Sequence, residues 1–293
     1  MLNAFTIDVE EHFHAANLKT SPRTWDALPS RVVRNTERLL DLLDRHQTRA
    51  TCFVLGWVAK KYPFLVRAIQ RAGHEIGSHS YWHRHIYELT PDEFREDLRL
   101  SVKVLSDITG EPVRLFRAPT FSITPRSLWA LTILAEEGIA IDSSIYPIYH
   151  DRYGIPHSPV SPYRIRTSAG EIIEVPPGVA QFATWKLPMG GGGYFRLLPL
   201  GATVALIDRV NNVEKRPVVF YIHPWEVDPN HPCDTRNPLL RWRQRQGLGR
   251  CYPRLSHLLR RTRFGTLSES VATTVREPET LPVEALGSDA GAD

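Results

Sequence analysis

The chain has 293 residues, 42% of them hydrophobic and 23% charged, enough for one large α/β domain or two ordinary ones with a sizeable core. No apolar run is long enough to span a bilayer. The opening Met1-Leu2-Asn3-Ala4-Phe5-Thr6-Ile7-Asp8 lacks the basic and apolar regions of a secretory signal, so a cytoplasmic protein is expected if that start is the native one.

The first predicted strand, Leu2–Asp8, runs into Asp8-Val9-Glu10. A helix follows over Val32–His46, where Val32, Val33, Leu39, Leu40, Leu42 and Leu43 recur at helical spacing. Strands are expected at Ala50–Leu55 and His74–Ser78, the second leading into His79-Ser80-Tyr81-Trp82-His83. Thr90-Pro91-Asp92-Glu93 reads as a capping box with proline at the first helical position, opening a helix to about Ile108, before Gly110. The strand Val113–Arg117 enters Arg117-Ala118-Pro119-Thr120-Phe121, and Thr124-Pro125 starts a helix ending near Gly138. Ile139–Asp142 and Glu171–Val175 are strands, Pro199–Asn212 is a helix, and Pro217–His223 is the last strand. Seven strands with intervening helices favour a barrel over an open sheet, which periodicity alone does not separate.

The run Gly190 to Gly193 has no Lys-Ser/Thr after it and so is no phosphate-binding P-loop. It is expected to be a loop that covers a site, with Trp185 and Tyr194 as stacking residues, the plainer alternative being a flexible loop. The net charge of +4 is uneven: Arg236 to Arg263 holds nine arginines and no acid, whereas Glu277 to Asp293 holds five acids and no base. The arginine block, which includes Leu239, Leu240, Trp242 and Tyr252, could lie on phosphate, anionic lipid or acidic polysaccharide, or be a solvated helix face. No recognised nucleic-acid motif accompanies it, so no nucleic-acid partner is expected. The tail over 276–293 is expected to be disordered. The three cysteines, Cys52, Cys233 and Cys251, form no C-x-x-C pair, which excludes a thiolate zinc site.

The chemistry collects at strand ends. His79 and His83 are four residues apart; on one helical turn both imidazoles would reach one cation. A carboxylate from Asp8-Val9-Glu10 would complete a three-ligand site with room for water, leaving the other carboxylate as general base. Arg117, Asp142 and His223 also stand at C-terminal ends of strands, the face on which parallel α/β folds build active sites.

Together Asp8 to Glu10, His79 to His83, Arg117 to Phe121, Asp142 and His223 resemble the NodB-homology polysaccharide deacetylases, in order and spacing, over about residues 5–225. Phe5-Thr6-Ile7-Asp8-Val9-Glu10, Gly191-Gly192-Gly193-Tyr194-Phe195-Arg196 and His223-Pro224-Trp225-Glu226-Val227-Asp228 are most similar to the branch encoded with bacterial exopolysaccharide loci, including exosortase-associated deacetylases. The Arg-rich segment extends that likeness to about residue 270.

The resemblance implies an α/β deformed (β/α)7 barrel with an Arg-rich helical C-terminal extension. It implies one catalytic domain over 1–275 (core 5–225, extension 226–275) and removal of N-acetyl groups from a bacterial cell-surface polysaccharide or its precursor. One divalent ion, Zn2+, is expected on Glu10, His79 and His83. Most of the family places its third ligand directly after the base, where Val9 stands here; some members place it two residues after the base, so the resemblance gives the role to Glu10, with His12 and His14 as alternatives. Asp8 is the implied base, Arg117 its partner, His223 the general acid and Asp142 the carboxylate that orients it. The Phe121 N–H is the implied oxyanion donor, and Tyr146 would line the site. His74, His85, His150 and His157 are expected to be structural or on the surface.

Overall fold

A computed structural model describes residues 1–14, 20–183, 185–232, 238–274 and 278–287. All seven expected strands form: β1 (Asn3–Val9), β2 (Thr51–Val54), β3 (Glu75–Ser78), β4 (Leu115–Phe116), β5 (Ile141–Asp142), β7 (Gly170–Glu174) and β10 (Val219–Ile222). They pair in the order β10-β1-β2-β3-β4-β5-β7, every contact parallel. Five further strands escape the hydrophobic pattern. β6 (Tyr163–Thr167) is antiparallel to β7, β8 (Val179–Phe182) and β9 (Trp185–Pro188) form a separate hairpin, β11 (Phe264–Gly265) pairs with β1, and β12 (Thr280–Pro282) with β6.

The helices are α1 (Val32–Arg45), α2 (Gly56–Lys61), α3 (Pro63–Arg71), α4 (Pro91–Thr109), α5 (Trp129–Glu136), α6 (Gly192–Leu197), α7 (Leu200–Asn212), α8 (Pro238–Arg245), α9 (Leu248–Arg261) and α10 (Leu267–Thr274). The α4 capping box is present in full, and Gly110 ends that helix at φ 74°. Thr124-Pro125 opens a 3-10 turn, and the α-helix proper starts at Trp129. None of the described helices is long and apolar enough to cross a membrane.

The barrel is deformed where β7 should meet β10. There the ring closes through loop backbone: the Gly178 N–H donates to Val219 O (2.9 Å) and the Tyr221 N–H to Gly190 O (2.6 Å). This closure explains the glycine run. A Cβ on Gly191 would lie 1.8 Å from Tyr221 O, and the residue sits at φ +135°. The run is therefore buried barrel seam, and the expectation of a site-covering or flexible loop is corrected. Gly191→Ala is expected to cost about 3 kcal/mol or more, read as a lowered urea midpoint with unchanged slope.

Inside the ring the residues are layered. Along β1, Phe5, Ile7 and Val9 face outward into the main core under the helices, while Ala4, Thr6 and Asp8 face the axis. The bottom layer is apolar: Ala4, Phe53, Val175 and Val219, plugged from below by Leu267 and Val271 of α10. Above it sits Arg117, with its guanidinium 4.3 Å from the Phe53 ring centre. The polar side chains open above that, at the C-terminal mouth.

The C-terminal segment is woven into this body. Leu248, Cys251, Leu255, Leu258 and Leu259 of α9 are buried. The tail expected to be disordered is corrected in part: Thr280–Pro282 extends the sheet and Leu286 is buried. Residues 275–277 and 288–293 lie outside the described residues.

Candidate active site

Asp8 and Glu10 share a face of β1 and its exit because side chains alternate along a strand, and Val9 between them points into the core. That alternation is why the residue after Asp8 offers no ligand and the one two places on does. His79 and His83 do not lie on a helical turn as expected. They stand on an irregular loop with Ser80 at φ 62° and His83 at φ 53°. Asp97 of α4 pins this loop, accepting from the Tyr81 N–H (2.7 Å) and the Trp82 N–H (3.0 Å). Two left-handed non-glycine residues are the cost of turning both rings onto one point.

Glu10, His79 and His83 meet there, each offering one ligand atom with all three atoms within 4.8 Å of one another. His83 Nε2 is 2.5 Å from Glu10 Oε2 and His79 Nε2 is 4.0 Å from it. His79 Nδ1 faces Arg117 O at 2.8 Å, so Nδ1 carries the proton and Nε2 keeps its lone pair. Burial drives His79 down to about 4 despite Asp8 and Glu10, leaving it neutral at pH 7. Burial would raise the Glu10 carboxyl, but His83, His223 and His79 outweigh it and hold it well below the usual carboxylate range. His83 Nδ1 is buried without a hydrogen-bond partner. Two imidazoles and a carboxylate are the donors a divalent ion such as zinc takes, so the residues fit the expected metal. His12 and His14 are not in this cluster: His14 packs on Trp25 and Trp57, and His12 on Phe13 and His231.

Arg117 is fully buried and accounts for much of the order around Asp8. It donates to Asp8 Oδ1 (2.7 Å), Thr6 Oγ1 (2.8 Å), Ser143 Oγ (2.9 Å) and Ser143 O (3.2 Å). The other Asp8 oxygen, Oδ2, lies 3.9 Å from His223 Nε2.

Further expectations are corrected. His223 is not held by Asp142. Its Nδ1 is 2.9 Å from Glu226 Oε2, across a 3-10 turn that Pro224 opens. Burial lowers His223, but Glu226, Glu10 and Asp8 together raise it to about 9. Asp142 instead accepts from Ser144 Oγ (2.5 Å), whose oxygen accepts from the Ala118 N–H (2.8 Å), and it pairs with Glu174 across β5 and β7. Burial raises both carboxyls, so this pair holds a proton between its members.

The Phe121 N–H is not free for an oxyanion; it donates to Ala118 O (3.1 Å), although Thr120 and Phe121 are both left-handed at φ 55° and 52°. The Phe121 ring does line the pocket, with Thr120, Arg152, Tyr153, Tyr221 and Trp225 beside the polar residues. Tyr146 is buried behind that ring at 5.2 Å. Tyr194 stands behind Tyr153, and Trp185 is exposed on the β8–β9 hairpin, stacked on Phe182; neither lines the pocket. Tyr153 and Tyr221 were not singled out in the sequence, and Trp225 and Glu226 stood in the quoted His223 to Asp228 stretch without a role of their own. His-Pro-x-Glu was a usable signal for the last, since proline at the first position and glutamate at the third mark a turn that returns the carboxylate to its start. Among the remaining histidines, His74 accepts from the Ala50 N–H and His85 faces Glu88, in keeping with structural roles.

Residues 17–136 match the polysaccharide deacetylase family, and residues 143–272 match a domain of unknown function, DUF3473. The chain is 34% identical over 96 residues to a peptidoglycan-N-acetylglucosamine deacetylase of Bacillus cereus, covering 32% of this chain and 35% of that one. It is 35% identical over 85 residues to a chitooligosaccharide deacetylase of Azorhizobium caulinodans, covering 29% and 40%. The chain thus spans well under half the length of these relatives. Its fold is like that of a candidate polysaccharide deacetylase from Mycobacterium smegmatis, with TM-score 0.60 and 18% identity over 95% of this chain and 94% of that one.

Proposed function

We propose, from the match of residues 17–136 to the polysaccharide deacetylase family, that the chain is a metal-dependent hydrolase removing N-acetyl groups from a bacterial cell-surface polysaccharide or its lipid-linked precursor. The observation that carries this reading is one pocket holding Asp8, His223 and the Glu10–His79–His83 cluster together. A bound divalent ion, zinc on this donor set, would supply Lewis acidity toward the acetyl carbonyl and acidify water.

The chain's own residues do the proton work. Arg117 pairs with Asp8 and fixes Oδ1, leaving Oδ2 to take a proton from the attacking water. The water oxygen bonds to the carbonyl carbon, the C–N bond breaks, and His223 Nε2–H gives its proton to the departing amine. Acetate and a free amino sugar leave; Asp8 returns its proton to solvent and His223 regains one. Phe121, Tyr153 and Trp225 present ring faces and edges to a sugar.

Hydrolysis of another non-peptide amide, such as a cyclic ureide or imide, would use the same residues. A catalytically silent glycan-binding protein would have no use for an acid and a base placed together. Assaying N-acetylated glycans beside cyclic imides separates these readings: turnover of the imides alone would move the substrate, and binding without turnover would remove the enzyme.

We also propose that α8 docks on anionic membrane at the cytoplasmic face, where lipid-linked glycans are presented. Arg241 and Arg245 are exposed on it, and Trp242 is 54% exposed between them. Flotation with anionic vesicles at low salt should carry the wild type up and leave Arg241→Glu/Arg245→Glu behind; no flotation of the wild type would end this proposal.

A further inference from the structure

Resting on the deacetylase reading, we propose that the region matching the domain of unknown function supplies the device that orients the general acid: a clamp running from the α8–α9 corner through Arg196 and Glu226 to His223. Each joint is short, and the central one, between Arg196 and Glu226, is buried. Glu226 is fully buried, accepts the His223 N–H at Oε2 (3.1 Å) and places the same oxygen 2.9 Å from His223 Nδ1. Its other oxygen, Oε1, accepts from Arg196 Nε at 2.7 Å. Arg196, 8% exposed, turns its NH1 the other way, onto Gln246 O (2.6 Å) and Gln244 O (3.1 Å).

The corner is shaped for this contact. Gly247, between α8 and α9, lies at φ +73°, and a Cβ there would stand 2.7 Å from Arg196 O and 3.1 Å from Arg196 Cβ. Arg254 of α9 adds a bond to Arg196 O (3.2 Å) from below. Glycine is thus required at 247 on two counts, backbone angle and close approach, and both serve the packing of the corner over Arg196.

The consequence is directional. A carboxylate at Nδ1 fixes that proton on Nδ1 and aims Nε2 into the pocket, toward Asp8 Oδ2 and Glu10 Oε1 at 3.9 and 3.7 Å. A free Glu226 would rotate; Arg196 prevents this by occupying Oε1, and the two corner carbonyls prevent Arg196 from following solvent. Glu226 and Arg196 are therefore positioning residues, since neither lines the pocket. The Arg-rich extension acts here through two backbone carbonyls and the Arg254 side chain, all of them set against Arg196 of α6.

The test uses leaving-group dependence on the metal-loaded protein. Glu226→Gln and Arg196→Gln are compared with wild type on an N-acetylated oligosaccharide, whose amine must be protonated, and on 4-nitrophenyl acetate, whose phenolate leaves unaided. Glu226→Gln should lower kcat on the amide by about 10- to 100-fold, Arg196→Gln by about 10-fold, with KM nearly fixed and the ester slowed less than about threefold. Equal losses on both substrates, or none on either, would overturn the clamp. Independently of turnover, the wild type should show a downfield His223 Nδ1 proton in its NMR spectrum that vanishes in Glu226→Gln and weakens in Arg196→Gln. Absence of that resonance in the wild type also overturns it. If the wild type releases no acetate from any glycan, the deacetylase reading fails, and the resonance alone decides the clamp.

Discussion

His83→Ala should lose stoichiometric bound metal and lower acetate release by about a thousand-fold, roughly 4 kcal/mol of transition-state stabilisation. His83 and Glu10 make the shortest contact in the cluster, 2.5 Å, and no nearby side chain substitutes: His14, whose ring centre is 6.2 Å from that of His83, is held by Trp25 and Trp57. Loss of a residue that merely supports a ligand costs about 10- to 100-fold in affinity, so loss of a ligand should exceed that. The variant also leaves the buried Glu10 without its nearest imidazole. Metal content by mass spectrometry and acetate release should fall together. Full metal content with full activity would remove His83 from the site.

Arg117→Met should be the most destabilising single change at the site, at about 3–5 kcal/mol. The side chain is fully buried, and its four hydrogen bonds have partners that stay behind: the Asp8 carboxylate, two hydroxyls and a carbonyl. Removing one partner of a buried pair strands the other charge, which costs more than the pair contributes. A chain of this size should lose on the order of 10 °C in Tm. Asp142→Asn should cost much less, because the Asp142–Glu174 pair already holds a proton and carries a single negative charge between its members. Comparable losses in the two variants would contradict both the buried Arg117–Asp8 pairing and the shared proton on the Asp142–Glu174 pair.

The seven parallel strands were legible because each is a short apolar run punctuated by glycine, proline or a helix signal, and because chemistry-bearing residues gathered at the C-terminal ends of β1, β3, β4, β5 and β10. β8, β9, β11 and β12 were not legible: they are two to four residues long and pair over too short a span to leave a period. The metal cluster was readable through the period of two along Asp8-Val9-Glu10, but the histidine pair was found for the wrong geometric reason, since an irregular loop, not a helix, joins the rings. Asp142 was misassigned because strand-end position says which face a carboxylate occupies, not which neighbour it meets. Glu226 meets His223 by local turn geometry, which Asp142, bonded to Ser144 and Glu174, cannot rival. The glycine run gave its residue type but not its reason, because only the fold brings Tyr221 backbone against Gly191.

The most direct test of the account is acetate release from N-acetylated oligosaccharides by the zinc-loaded protein, repeated after chelation and after zinc is restored. Release that stops with chelation and returns with zinc is the predicted result. Release that persists in metal-free protein would contradict the metal-binding role of Glu10, His79 and His83, and no release despite bound zinc would contradict the substrate.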